Sequence, residues 1–336
     1  MKAFTISRYS KTDALLLTDV PNPEVQDNDV LVEIHAASVN LLDSKIKSGE
    51  FKLLLPYKFP LILGHDVAGV VIKVGANVCR FKVGDAVYAR PADYRVGTFA
   101  EIIAINQKDI ARKPNNISME EAASIPLVGL TAWQALVEKA QLQKNQEGQK
   151  VFIQAGSGGV GTFAIQLAKH FGATVATTAS LANTDWLKRL GADVVVDYKT
   201  QDFETLLRDY DVVLNSQDTK TLHKSLSTLK AGGQLISISG PPDAQYASEA
   251  GLPWFMKGVM RLLSYKIRKE AKQRQINYAF LFMKAQGKQL EEITKLIESG
   301  AILPVVDKVF PFDQTNEALA YVESGRAKGK VVIKVK

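Results

Sequence analysis

The spacing of apolar residues changes character near residue 120. Upstream, short runs rich in β-branched residues are cut by Gly, Pro, Asn and Asp, at residues 30–36, 66–74, 85–89 and 99–105. Such runs predict the strands of an all-β module. Ser118-Met-Glu-Glu121 then offers a capping box ahead of an Ala-rich helical run, which places the boundary there. From Val151 onward, strand-like stretches at 151–155, 174–178, 193–197, 211–214 and 234–239 alternate with helical patterns. That alternation predicts an α/β fold built on a doubly wound parallel sheet. The tail reads as a helix at 289–299 ended by Gly300, a strand at 305–310, a helix at 313–323 capped by Asp313, and a closing strand at 330–335. A closing strand this apolar needs a partner, and the β-rich first module is the expected one.

The first strand of the alternating region runs straight into Ala155-Gly-Ser-Gly-Gly-Val-Gly161 and an amphipathic helix. Gly156, Gly158 and Gly161 satisfy the G-x-G-x-x-G spacing of a dinucleotide site, so Gly156, Ser157, Gly158, Gly159, Val160 and Gly161 are expected to cradle a pyrophosphate at the helix N-terminus. Sites for the unphosphorylated nicotinamide cofactor carry an acid about 20 residues further on, which holds the ribose 2′-hydroxyl. Here the second strand ends Thr177-Thr-Ala-Ser180 and the nearest carboxylate, Asp185, lies inside the next helix. A carboxylate at that strand end would repel a 2′-phosphate, so its absence favours NADPH. Thr178, Ser180, Asn183, Tyr198 and Lys199 are the candidate contacts, while Lys188 and Arg189 read as a solvated helix face.

Composition adds limits. The 42 basic and 35 acidic residues leave a net charge of +7, which suits a phosphorylated cofactor or an anionic surface without requiring either. One cysteine, Cys79, excludes an internal disulfide framework and a multi-cysteine zinc site, and fits a reducing compartment; cytoplasmic localisation is the plain expectation. No arginine-rich or aromatic platform for nucleic acid stands out. Residues 241–275 do not read as an ordinary connection in such a sheet. Within them Trp254 to Lys272 interleaves apolar and basic residues, predicting a helix with a cationic face. That helix can pack beside a substrate cleft or subunit interface, or it can lie on a membrane surface as a peripheral contact.

Several segments together carry a family resemblance: Ala36-Ala-Ser-Val-Asn-Leu-Leu-Asp-Ser-Lys45, Gly64-His-Asp-Val-Ala-Gly-Val-Val-Ile-Lys-Val-Gly75, Val83-Gly-Asp-Ala-Val87, the glycine turn, Leu190-Gly-Ala-Asp193 and Gly325-Arg-Ala-Lys-Gly-Lys-Val-Val-Ile333. Over almost its whole length the chain resembles the medium-chain dehydrogenase/reductase superfamily, in its zinc-independent quinone oxidoreductase branch. The resemblance implies a GroES-like catalytic domain from residues 1–121 and 301–336, a Rossmann cofactor-binding domain from 122–300, and a homodimer paired through the apolar strand at 277–283.

The resemblance also places residues. Asn40 stands where zinc-dependent members have a metal-binding cysteine, Asp66 replaces a glutamate, and the structural-zinc lobe is absent, so no metal is expected and His65 reads as a packing or hydrogen-bonding histidine. Without a metal to lower the pKa of an alcohol oxygen, hydride delivery to an electron-poor acceptor is the easier chemistry. The implied activity is NADPH-dependent reduction of quinones or α,β-unsaturated carbonyl compounds. Asn40 and Lys45 are candidates to orient the nicotinamide or the acceptor oxygen, with Asp43 either functional or a turn cap. Tyr57 is a possible substitute for the catalytic tyrosine of enoyl-thioester reductases, whose place is taken here by Phe51. Thr131, Asn215, Ser239 and Gly240 are expected near the cofactor, and Arg326 and Lys330 at its phosphates or in a plain basic turn. The alternatives are an enoyl-thioester reductase and a crystallin-like or regulatory NADPH-binding protein of low turnover.

Overall fold

The computed structural model describes residues 1–142 and 148–336. They form two compact units, one from Met1–Leu130 with Lys284–Lys336 and the other from Thr131–Met283.

The first unit opens with strands β1 (Lys2–Ile6), β2 (Leu16–Asp19) and β3 (Asp29–Val39), helix α1 (Leu41–Lys47), and strands β4 (Leu61–Ile62), β5 (Asp66–Val74), β6 (Ala86–Ala89), β7 (Ile102–Asn106) and β8 (Ile110–Arg112). β3 is the hub, pairing antiparallel with both β5 and β7. Its alternation turns Val30, Val32 and Ile34 into a core shared with Val67, Val71, Val87, Ile103 and Ile105. Two register shifts along β3 against β5 bend it, as bulges do. The apolar run at 99–105 is split: Ala100 bridges Ala3 of β1, and the ladder to β3 begins only at Ile102. Helix α2 (Met119–Ala123) starts on the expected capping box, with Glu121 N–H donating to Ser118 Oγ (3.1 Å) and Ser118 N–H to the Glu121 carboxylate (2.8 Å). Helix α3 (Pro126–Trp133) follows.

The second unit alternates as the pattern predicts: β9 (Lys150–Ile153), α4 (Gly159–His170), β10 (Thr174–Ala179), α5 (Thr184–Arg189), β11 (Val194–Asp197), α6 (Phe203–Leu206), β12 (Tyr210–Asn215), α7 (Thr219–Ser225), β13 (Leu229–Ser237), α8 (Ala244–Glu249), α9 (Trp254–Leu263), α10 (Tyr265–Gln273) and β14 (Asn277–Phe280). The strands pair in parallel in the order β11-β10-β9-β12-β13-β14. This is the doubly wound order with its switch point beside β9, where such sheets bind ligands. The single helix expected at 254–272 is broken at Ser264, whose hydroxyl donates to the Met260 carbonyl (2.7 Å) while its backbone leaves helical values. Serine back-bonding of this kind competes with the helix ladder.

Helix α11 (Gly287–Glu298) packs on β8, with Leu290, Ile293 and Ile297 buried and Tyr88 Oη donating to the Leu290 carbonyl (2.7 Å). It therefore falls in the first unit, although the resemblance assigns residues 122–300 to the Rossmann domain. Strand β15 (Val306–Pro311), helix α12 (Thr315–Glu323) and strand β16 (Lys330–Lys334) complete that unit. β16 runs parallel to β15 and antiparallel to β3, so the closing strand finds its expected partner in the first module. Asp313 is not the cap of α12: it lies in a 3-10 turn, and the helix begins after Gln314. No helix among the described residues is long and apolar enough to cross a membrane.

One ion pair anchors the start of β3. Asp29 is fully buried and accepts from Arg95 Nη1 (2.8 Å) and Nη2 (2.6 Å). Burial acts to raise the Asp29 carboxyl, but the Arg95 bonds and the Gln26 amide outweigh it and hold the group below the usual carboxylate value. A carboxyl with a depressed folded pKa contributes its full stability above the unfolded value of about 4 and loses it as pH falls through the folded value. Arg95→Ala is therefore expected to move the acid-unfolding midpoint to higher pH and to cost about 2 kcal/mol at neutral pH. Circular dichroism across an acid titration checks both; an unchanged midpoint contradicts the assignment.

Candidate active site

In the second unit the parallel strands converge at their carboxyl ends. Ala155 takes a left-handed conformation after β9 (φ 52°), which turns the chain toward α4. The turn is tied to β10, since Ala155 N–H donates to Thr178 Oγ1 (3.0 Å) and Gly156 N–H to the Thr178 carbonyl (3.0 Å). Two glycines are demanded by close approach. A Cβ on Gly156 would stand 2.2 Å from Thr177 Oγ1, and one on Gly161 2.3 Å from the Ala155 carbonyl. Gly158 differs. As N-cap of the twelve-residue α4 it has no side-chain cap, and a Cβ there would meet only the Ala155 carbonyl at 3.4 Å. Open space therefore lies at this helix end, whose first amides have no partner within the helix and attract anions.

The predicted ribose-phosphate residues gather at the same edge. β10 and β11 are in register at Ala179 and Asp197, so Ser180, Tyr198 and Lys199 emerge side by side, the last two exposed. Thr178 is buried and pins the glycine turn through the bond above. Asn183 is buried with its amide held at both ends, donating to Ser180 Oγ (3.2 Å) and accepting from Trp186 Nε1 (3.2 Å). Lys188 and Arg189 are exposed on α5, as a solvated face should be. Asp197, unremarked in the sequence, ends β11 opposite Ala179, and its carboxylate is engaged locally by Lys199 N–H (3.2 Å) and Thr200 Oγ1 (3.0 Å). At the end of β12, Asn215 is fully buried. Its Oδ1 accepts from Gln217 N–H (2.9 Å) and lies 3.2 Å from Ser239 Oγ, whereas its Nδ2 has no partner among the described residues. A buried donor left open at a ligand-binding edge fits an acceptor supplied by a bound molecule. The Gly240 amide donates to Ser237 Oγ (2.6 Å) and shapes the turn after β13. Thr131 is buried on α3. The open helix end and the unpaired Asn215 amide both fit a dinucleotide.

The first unit holds a buried polar cluster. Asn40 N–H donates to Asp43 Oδ2 (2.8 Å), making Asp43 the cap of α1's first turn. The other Asp43 oxygen accepts from Gly64 N–H (3.1 Å) and lies 2.6 Å from His65 Nδ1. His65 is fully buried, and its Nε2 has no partner among the described residues. It is thus a hydrogen-bonding histidine, as expected. Next to this dyad, Asp66 Oδ2 is met by Ser38 Oγ (2.7 Å), Asn40 Nδ2 (2.9 Å) and Lys330 Nζ (3.3 Å), and Asp66 Oδ1 by Leu127 N–H (2.7 Å).

Lys330 is the main correction to the sequence reading. Its Nζ is not at a cofactor phosphate but buried, donating to Asn40 Oδ1 (2.5 Å) and to the Val39 carbonyl (3.2 Å). The antiparallel register that sets Val331 opposite Val39 brings it there. Burial pushes the Lys330 ammonium below its ordinary value, and the Asp66 and Asp43 carboxylates oppose that push. Asn40 changes too, because both ends of its amide already face this cluster. The signal that could have revealed the pair is two opposite charges, Asp66 and Lys330, each opening a strand of one sheet just ahead of its apolar run, residues 67–72 and 331–333.

The remaining candidates divide. Lys45 is exposed on α1, and its ammonium forms no ion pair or hydrogen bond among the described residues. Tyr57 is buried and its hydroxyl has no partner among them; burial, with Asp93 nearby, raises the phenol above its ordinary value. Arg326 is exposed in the turn ahead of β16. Among the described residues no group of three or more His, Cys, Asp and Glu side chains is placed to hold a metal ion.

Comparison with known proteins agrees with both halves. The family described as alcohol dehydrogenase GroES-like domain matches residues 26–115, and that described as zinc-binding dehydrogenase matches residues 190–333. The chain is 34% identical to the mitochondrial NAD(P)H oxidoreductase RTN4IP1 of Danio rerio, over 100% of this chain and 91% of that protein. It is 35% identical to the 2-methylene-furan-3-one reductase of Solanum lycopersicum, over 99% of this chain and 79% of that protein. The quinone oxidoreductase structure from Coxiella burnetii superposes with a TM-score of 0.83 at 30% identity, covering 100% of this chain and 99% of that one. The chain belongs to the medium-chain dehydrogenase/reductase superfamily, in its quinone oxidoreductase-like branch. By class it is an oxidoreductase that works with a nicotinamide cofactor.

Removing one partner of a buried ion pair leaves the other charge uncompensated, at a cost of about 3 kcal/mol or more. Lys330→Met is expected to destabilise the protein by that order in urea melts. The Lys330→Met/Asp66→Asn double variant should lose less than the sum of the single changes, and strict additivity would show that the two side chains do not act together.

Proposed function

We propose that the protein is an NADPH-dependent reductase that delivers a hydride to a quinone or an α,β-unsaturated carbonyl compound without zinc. The observation that carries this reading is the state of Asn40. Its Oδ1, the oxygen it could offer a metal, already accepts from the buried Lys330 ammonium. A dication beside that ammonium would face repulsion in a poorly screened interior. Acceptors whose reduction needs only positioning and stabilisation of a developing oxyanion suit such a site. The names of relatives support the same chemistry, among them an NADPH-dependent alkenal/one oxidoreductase of Arabidopsis thaliana, 33% identical over 99% of this chain and 79% of that protein.

Bound at the Rossmann edge, the nicotinamide cofactor supplies the hydride. The first amides of α4, from Gly159 to Gly161, would hold its pyrophosphate, and the Asn215 amide would donate to an acceptor on it. Ser180, Tyr198 and Lys199 accommodate the 2′-phosphate, since β10 ends without a carboxylate and Asp197 is bound into its own turn. Of the sequence-predicted candidates in the GroES-like unit, Lys45 Nζ and Tyr57 Oη are donors without a partner among the described residues, suited to charge appearing on an acceptor oxygen. Tyr57, with its raised pKa, keeps its proton at neutral pH and can donate. A homodimer accords with β14, which ends the sheet and pairs only with β13 among the described residues.

NADPH oxidation should be measured with a quinone panel, with an enone and enal panel, and without acceptor. Turnover with at least one panel is expected; retained NADPH binding with silence on both would favour a low-turnover binding protein and refute the reductase. Ser180→Asp, which restores an acid at the strand end, is expected to weaken NADPH about tenfold while changing NADH little. Equal effects on the two cofactors would remove Ser180 from the phosphate site.

A further inference from the structure

We infer that α9 and the start of α10 form a docking face for an anionic membrane surface. A surface helix ordinarily turns its large apolar residues inward. α9 does the reverse. Trp254 is 84% exposed, Leu262 77%, Leu263 59% and Phe255 54%, with Val259 also exposed, while Met260 is the residue of α9 that is buried. At about 100° per residue these five side chains share one side of the helix, and Met260 points the other way. Tyr265, at the start of α10, extends the exposed patch. Isolated exposed apolar residues are ordinary, but a contiguous patch on the order of several hundred Å² marks a contact surface.

Charge selects the occupant. From Trp254 to Lys269 the chain carries Lys257, Arg261, Lys266, Arg268 and Lys269 and no acidic residue. All five are exposed, and none forms an ion pair with an acid among the described residues; Lys269 lies over the Tyr265 ring at 6.0 Å. Glu270, the first acid reached, is paired with His223 (2.6 Å). Lys257 and Arg261 stand one turn apart at the margin of the apolar side, where long stems can lie along acyl chains while the cations reach phosphates. A second copy of this chain is a poor fit, because a two-fold contact through this patch would set cationic margin against cationic margin. An anionic leaflet matches both the apolar side and its margin, as interfacial helices do. At ten residues α9 is about 15 Å long, so it lies on the bilayer and does not cross it. The inference is independent of which acceptor the enzyme reduces.

The full chain should be sedimented with vesicles of phosphatidylcholine alone and with vesicles containing about one third phosphatidylglycerol, at low and high salt. Binding to the anionic vesicles is expected, at least about tenfold weaker on the neutral ones and weakened by salt. Trp254→Ser/Leu262→Ser and Lys257→Glu/Arg261→Glu alter exposed side chains only, so thermal midpoint and NADPH binding should stay as in the parent. Each pair should lower vesicle partitioning about tenfold or more. No sedimentation with either vesicle, or variants that bind like the parent, overturns the inference. So does a result in which no vesicle is bound and either pair of substitutions dissociates a dimer in sedimentation velocity.

Discussion

The Lys330 ammonium, enclosed by Asn40, Asp66 and the Val39 carbonyl, is the contact on which the GroES-like unit turns. It joins residues 290 positions apart and fixes where the closing strand meets β3. A buried cation is costly unless paired, and here the pairing is local and dense: Asp66 also takes bonds from Ser38, Asn40 and Leu127. The same arrangement gives Asn40 its orientation. Asn40 Oδ1, the oxygen it could offer a metal, is held by an ammonium, and the chemistry proposed for the protein builds on that contact.

The Rossmann unit rests on a different constraint, the close approach of its glycine turn to β10 and to itself. Gly156 and Gly161 are bare because Thr177 and the Ala155 carbonyl fill the space a side chain would need. Gly158 is bare with space to spare, and that space lies at the start of α4. Packing thus explains two of the three glycines and leaves the third to the ligand. The buried Asn215 amide, with one end satisfied and the other open, marks the same edge from a neighbouring strand.

Much of this was legible in the order of residues. The strand-turn-helix at Val151 to Phe171, the alternation that follows and the capping box at Ser118 depend on local periodicity and turn chemistry, and the structure repeats them closely. What local patterns left out depends on distant partners. Lys330 reads as part of a basic turn because its neighbours in sequence are Gly329, Lys328 and Arg326, whereas its neighbours in space are Asn40 and Asp66. α11 has the helical pattern of the Rossmann half but buries its apolar side on β8.

The helices after β13 show the division most clearly. Composition alone determined that residues 254–272 would be helical, apolar and cationic, since propensity and charge are properties of the residues themselves. Which side faces solvent was a tertiary decision, because one buried methionine and a back-bonded serine set the rotation of α9 and the break before α10. In the same way the sequence by itself determined the strand, glycine turn and helix at Gly156 to Gly161, whose spacing is that of a dinucleotide site. Only the tertiary structure decided the environment of Asn40 and Lys330, since a strand's register is set by its partner and cannot be read from the strand alone.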